Sequence, residues 1–217
     1  MDLIKKIEDK YIEKDLCKIM EDLNKLLKYA KEIGATDAKI ITTDKIIVDE
    51  RVRWKCLIPT CRWYGSSIHC PPHQPITPKI MRRILKKYKY GILIRLDAPR
   101  VEDFAGPEWI KSHIPIELKH KEIVGKIEAA AFDMGYHLAM GFTAGECSLC
   151  LSKGMRCTVL EGNPCRYPLQ ARPAMEAVGI DVFLTAKNVG WDLYTIGSSS
   201  DIKYIPRASL IGLVLIC

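Results

Sequence analysis

Seven cysteines in this sequence fall into two groups. Cys56, Cys61 and Cys70 are spaced C-x4-C-x8-C, and Cys147, Cys150, Cys157 and Cys165 are spaced C-x2-C-x6-C-x7-C. Thiolates ligate zinc and iron–sulfur clusters, and four of them can close a tetrahedral zinc site or hold a [4Fe-4S] cubane. The second group is therefore a complete ligand set. Zinc ribbons use two C-x2-C knuckles, and here only Cys147 and Cys150 form one. The looser spacing favours an iron–sulfur cluster and leaves Zn as the alternative.

The first group has only three cysteines. Its fourth ligand would come from His69, His73, Cys17 or Cys217, or the fourth position is open. An open position on a [4Fe-4S] cluster leaves one iron free to act as a Lewis acid on a small ligand, by the logic of catalytic zinc. The stretch SSIHCPP puts Cys70 directly before Pro71 and Pro72, which fix φ twice and remove two backbone donors. The sulfur thus sits on a stiff loop. Pro164 and Pro168 flank Cys165 in the same way. Trp63, Tyr64 and Gly65 lie between two of these cysteines and read either as a shield around a cluster or as ordinary core.

The bulk properties narrow the setting. The chain has nine cysteines in 217 residues, and its N-terminus, MDLIKKIEDKYIEKDL, is charged where a signal peptide would be apolar. No apolar run is long enough to span a membrane, so a cytoplasmic protein is expected, in a compartment where disulfides are rare and metal is the usual reason for many cysteines. Ile, Lys and Glu are abundant, which fits a thermophilic or anaerobic source. The net charge of +7 suits an acidic partner without requiring nucleic acid. The most one-sided run is KIMRRILKKYK at 79–89, which carries six basic residues and no acidic one. It reads as a solvated helix face or as a docking face for an acidic redox partner. No aromatic platform accompanies it, so nucleic acid is the weaker option. A Gly-rich phosphate loop, a G-x-S-x-G elbow and a C-x3-C-x2-C triplet are all absent.

Several elements must position these loops. Residues 3–31 have helical apolar spacing with a stop at Gly34, and AKIITTDKIIVDERVRW at 38–54 reads as a hairpin or two short strands. Thr77-Pro78 opens a helix over 78–89, and YGILIRLD at 90–97 is a buried strand. A loop with Pro99, Pro107 and Pro115 precedes a helix at 118–134, a strand at 136–142, and an irregular stretch over 147–165. One or two short helices punctuated by Gly179 and Gly190 follow, and SLIGLVLI closes the chain as a strand. The fold class is α/β or α+β: a single layered domain with a sheet of about four to six strands flanked by helices and two cysteine-rich loops placed just after strands. Residues 1–35 form an N-terminal helical segment and 36–217 the metal-binding domain. Cys17 reads as a buried thiol beside the first apolar stripe, Cys217 as a frayed end, and His113, His120 and His137 as isolated histidines.

CRWYGSSIHCPP, GECSLC, PCRYP and RPAMEAVGIDV together resemble the DUF2284 family of predicted metal-binding proteins, over roughly residues 50–216. The resemblance implies Cys56, Cys61, Cys70, Cys147, Cys150 and Cys165 as ligands, with Cys157 as the remaining cysteine of the second group. It names metal binding and no reaction. Arg172, Glu176 or Asp181 could stand near the second site; alternatively Pro173 and Gly179 bound a short helix and Arg172 caps carbonyls. The expectation is an iron–sulfur protein with two clusters, either an electron carrier or a cluster-dependent redox or sulfur enzyme. The alternative is a structural zinc protein serving as a binding module.

Overall fold

The computed structural model describes residues 16–105, 109–197 and 200–217. Four strands form one antiparallel sheet in the order β1-β2-β4-β3: β1 (Asp37–Thr42), β2 (Tyr90–Asp97), β3 (Met140–Phe142) and β4 (Ser209–Leu215). The apolar runs of β2 and β4 pair in the middle, with Ile92 opposite Val214 and Ile94 opposite Gly212. Both are covered on each face, so they read as continuous apolar segments in the sequence.

Period-two alternation sorts their side chains. Ile92, Ile94 and Val214 face α1 (Leu16–Glu32) and α5 (Trp109–Asp133), where Leu23, Leu26, Ile123, Val124 and Ile127 complete the first core. Leu93, Ile211, Leu213 and Leu215 face the other way, against Met81, Met175, Val178 and Ile180. This second core is closed by α3 (Pro78–Leu85) and by the irregular chain between Arg172 and Trp191. The α3 helix opens as its sequence predicts, with the Thr77 hydroxyl accepting from the Ile80 amide and Pro78 in the first turn.

The remaining helices are short: α2 (Glu50–Trp54), α4 (Glu102–Ala105), α6 (Ser148–Leu151) and α7 (Val182–Lys187). Three expectations are corrected. Residues 50–54 are helical rather than a second strand, because the Asp49 carboxylate accepts from the Arg51 amide and starts a helix; only Val48 keeps a β-bridge, to Ile180. Helix α5 begins at Trp109 and contains Pro115, whose missing donor falls on an exposed face. Strand β3 covers three residues of the expected 136–142, since the chain turns at Gly135 and again before Met140. The part of the first predicted helix before Leu16 lies outside the described residues. Cys17 is exposed rather than buried, because the buried stripe of α1 starts one turn later, at Asp22 and Leu23.

Helix α5 lies unusually close to the sheet, and glycines make room for it. A Cβ on Gly212 would stand 2.6 Å from Val124 Cγ2 and 2.9 Å from His120 Nε2, and one on Gly141 would meet Val124 and Glu128. Replacing Gly212 with alanine should therefore destabilise the fold by about 1–3 kcal/mol through overpacking, measured as a lower urea midpoint with an unchanged slope.

Candidate metal centre

The first cysteine group follows α2, a helix, whereas the sequence reading placed it after a strand. Arg53 on that helix donates to the carbonyls of Gln74 and Ile76, each at 2.8 Å, and so ties the exit of the loop to its entry. Inside the loop the Cys61 amide donates to the Cys56 carbonyl at 3.0 Å, and the Gly65 amide to the Pro71 carbonyl at 2.7 Å. Gly65 is left-handed, at φ 72°, which only glycine adopts without cost. The Pro71–Pro72 bond is cis.

The second group follows β3. Cys147 stands immediately before α6, and Cys157 immediately before a single turn of 3-10 helix at Thr158–Glu161. The stretch expected to be irregular thus contains two short helical turns. Cys147, Cys150, Cys157 and Cys165 all line one small cavity of about 10 Å3, with Leu149, Leu151, Thr158, Tyr167 and Ala171. Its remaining wall is Ser66, Ser67, Ile68 and His69, from the loop between Cys61 and Cys70. The loop between Cys61 and Cys70 therefore packs against the second cysteine group across this cavity, although Cys70 and Cys147 are 77 residues apart in sequence.

Four of the seven sulfurs accept hydrogen bonds. The Trp63 amide donates to Cys61 Sγ at 3.5 Å, the Ser66 hydroxyl to Cys70 Sγ at 3.7 Å, the Tyr167 amide to Cys165 Sγ at 3.4 Å, and Arg166 Nη1 to Cys150 Sγ at 3.8 Å. Such donors stabilise thiolate charge, and around a bound metal they raise its potential. Burial pushes the Cys147 thiol up to about 12, with Lys121 opposing the shift. Burial also raises Cys56, with Cys61 and Cys70 adding to the effect. Among the described residues, no three cysteine, histidine or carboxylate side chains converge on one point as ligands of a single ion.

The candidates for a fourth ligand separate. Cys217 follows the far end of β4, while Trp63 shares a cleft with Ser209 and Ile211 at its start; eight residues of strand put roughly 25 Å between them. Cys217 is anchored there, its carbonyl accepting from the Tyr90 amide at 2.8 Å. Cys17 lies on the exposed side of α1, which packs on the sheet rather than beside the cysteine loops. His69 turns onto the wall of the second cavity, where burial lowers it to about 4. Of the downstream motif, Arg172 pairs with Glu128 at 2.7 Å and donates to the carbonyls of Pro168 and Ala171. It is Arg166, not Arg172, whose guanidinium reaches a cysteine.

Sequence reasoning missed a buried ion pair. Lys121 and Glu117, 1% and 0% exposed, meet at 2.7 Å on α5, and Lys121 also donates to the Ala144 carbonyl at 2.8 Å. Their signal was charge at core-phase positions, i and i+4, on the helix face that continues as Val124, Ile127 and Ala131. Gly145, left-handed at φ 69°, lies close enough that a Cβ would touch Glu117 Oε1 at 2.7 Å. The pair thus packs under the turn leading into Cys147.

The chain thus carries two cysteine-rich loops on an antiparallel sheet layered with helices, and the second loop packs against the first. The family comparison agrees, since the model described as predicted metal-binding protein (DUF2284) matches residues 39–216, and the chain belongs to that family. No curated protein and no solved structure matches it. No helix among the described residues is long and apolar enough to cross a membrane.

Burial raises the Glu117 carboxyl to about 7, from an ordinary 4.5, with Lys121 pulling it back. The folded state therefore holds this proton more tightly than the unfolded chain. Its contribution to stability is full below 4.5 and is lost as the pH rises to about 7. Lys121→Met should leave a buried unpaired carboxylate and cost about 3–5 kcal/mol at about pH 8. The cost should shrink near pH 5, where the carboxyl is neutral, and Glu117→Gln combined with Lys121→Met should recover most of it. Urea denaturation at the two pH values checks each statement.

Proposed function

We propose that the chain is a two-cluster iron–sulfur protein that moves electrons between its cysteine groups and a redox partner or substrate. The observation that carries this reading is the shared cavity, in which the loop from Ser66 to His69 of the first group closes the wall formed by Cys147, Cys150, Cys157 and Cys165. The donor set fits in residue type: four thiols share one apolar wall, the ligand number of a [4Fe-4S] cluster, and a backbone amide or side chain already donates to Cys150 and Cys165. When bound, such clusters supply one-electron chemistry, and at a three-cysteine site a Lewis-acidic iron as well.

The residues around the sites have separable tasks. Cys147, Cys150, Cys157 and Cys165 hold the closed site, and Cys56, Cys61 and Cys70 the site with a free position. Trp63 and Tyr167 supply amide donors, while Leu149 and Ala171 exclude water from the cavity. Lys79, Arg83, Lys86 and Lys87 are exposed on or just after α3, eight residues and more beyond Cys70, and offer an acidic redox partner a docking face beside the first group.

Protein purified without oxygen should contain about eight irons and eight acid-labile sulfides per chain. Cys150→Ser and Cys61→Ser should each remove about half of both, and mild oxidation should give a three-iron EPR signal that Cys61→Ser abolishes. Zinc without labile sulfide would overturn the proposal and leave a structural zinc protein acting as a binding module.

A further inference from the structure

A second cavity opens beside the first cysteine group. It is a cleft of about 870 Å3, within the range of small-molecule sites, between Trp63 of the cysteine loop, α4, the Ala144–Glu146 turn, α7 and the start of β4. Aromatic rings form much of its wall: Trp63, Phe104, Phe183 and Tyr194. Its titratable groups are the carboxyls of Glu146 and Glu176 and the imidazole of His113, which burial pushes toward its neutral form. No lysine or arginine among the described residues lines it, although the chain carries 33 of them.

Glu176 is the group that the fold leaves unanswered. Its Oε2 is buried and has no hydrogen-bond partner among the described residues. The nearby buried cation, Lys121, is already taken by Glu117 and by the Ala144 carbonyl. A buried carboxyl oxygen without a donor is rare enough in native proteins to call for an explanation. Burial raises the Glu176 pKa, with its own backbone amide and Lys121 acting against the shift.

We infer that this cleft binds an organic ammonium compound, with Glu176 as its counter-ion and the aromatic walls around its apolar body. Carboxylate and aromatic faces together are what an ammonium group selects, through charge and through cation–π attraction. An anionic ligand would meet two carboxyls and no cation. A neutral ligand would gain the walls but leave Glu176 without a charge partner. Arg62 and Arg207 lie against Trp63 and Tyr194, at 5.2 and 5.5 Å from the ring centroids, and neither lines the cleft. The ammonium is therefore placed against Glu176 rather than on those two rings. The inference stands on the cleft alone and holds whichever metal the cysteines carry.

Isothermal titration of the metal-loaded protein as purified, with benzylammonium, benzyl alcohol and benzoate, tests it. Benzylammonium should bind at least tenfold more tightly than the other two. Glu176→Gln should weaken it at least tenfold while leaving benzyl alcohol unchanged. Phe183→Ala, at a half-exposed position that the core does not depend on, should weaken benzylammonium several-fold and keeps the test open if Glu176→Gln does not fold. Absence of benzylammonium binding, equal binding of benzyl alcohol, tighter binding of benzoate, or a Glu176→Gln variant with undiminished affinity would each overturn the assignment.

Discussion

The arrangement of both cysteine loops depends on one short stretch of backbone, the segment from Pro173 to Asp181. At its start the Thr143 amide donates to the Pro173 carbonyl and the Met175 amide donates back to Thr143, both at 2.8 Å. At its end the Asp49 amide donates to the Gly179 carbonyl at 2.9 Å and the Asp181 amide to the Ile47 carbonyl at 2.8 Å. Thr143 leads from β3 to Cys147; Ile47 and Asp49 lead from β1 to Cys56. These strands are the two edges of the sheet, so the segment runs from one edge to the other across the second core. Met175, Val178 and Ile180, all fully buried, fasten it there by burial worth about 1.5–3 kcal/mol each. Gly179, at φ 88° with Pro78 against it, makes the turn that no larger residue could make.

This explains why a motif without a single cysteine accompanies the cysteines in the sequence. A loop that carries three or four ligands has few backbone bonds of its own, and its position is set where it is tied at the ends. Tying both loops to one rigid segment fixes their separation, which local sequence near either loop could not do. Of the reading that Pro173 and Gly179 bound a short helix and Arg172 caps carbonyls, the end at Gly179 and the bonds of Arg172 to the Pro168 and Ala171 carbonyls are found, but the turn begins at Glu176. What it left out is that the same turn is pinned at both ends to the approaches of the two groups.

Legibility in the sequence followed the range of the forces involved. Strands β2 and β4 and the cap at Thr77 were legible because a short continuous apolar run with β-branched residues and an N-cap hydroxyl act within a few residues. The two cysteine groups were legible because a metal site demands certain residue types at short spacing. The helix at Glu50–Trp54 was not, since β-branched neighbours suggested a strand and a local cap at Asp49 decided otherwise. The early start of α5 was hidden by Pro115, which reads as a breaker but is tolerated on an exposed face. The packing of Ser66–His69 on the cysteine cavity, and the burial of Lys121 with Glu117, come from contacts between segments distant in the chain, and no local pattern records them.

The buried pair links the two cavities physically. Lys121 holds the carbonyl of Ala144, which lines the cleft, and Glu117 packs against Gly145, two residues before Cys147. A hydrophobic pair of similar volume would be no less stable there, so stability alone does not account for the charges. What the charges add is orientation. An ammonium group donating to one named carbonyl fixes the turn from Ala144 to Cys147 in a way that dispersion contacts, which have little directionality, cannot. The wall of the cleft and the first cysteine of the second group are thereby held by the same side chain. A shift of that turn in response to occupancy of the cleft would reach Cys147 within three residues, and the cysteine cavity and the cleft are in that sense two faces of one turn.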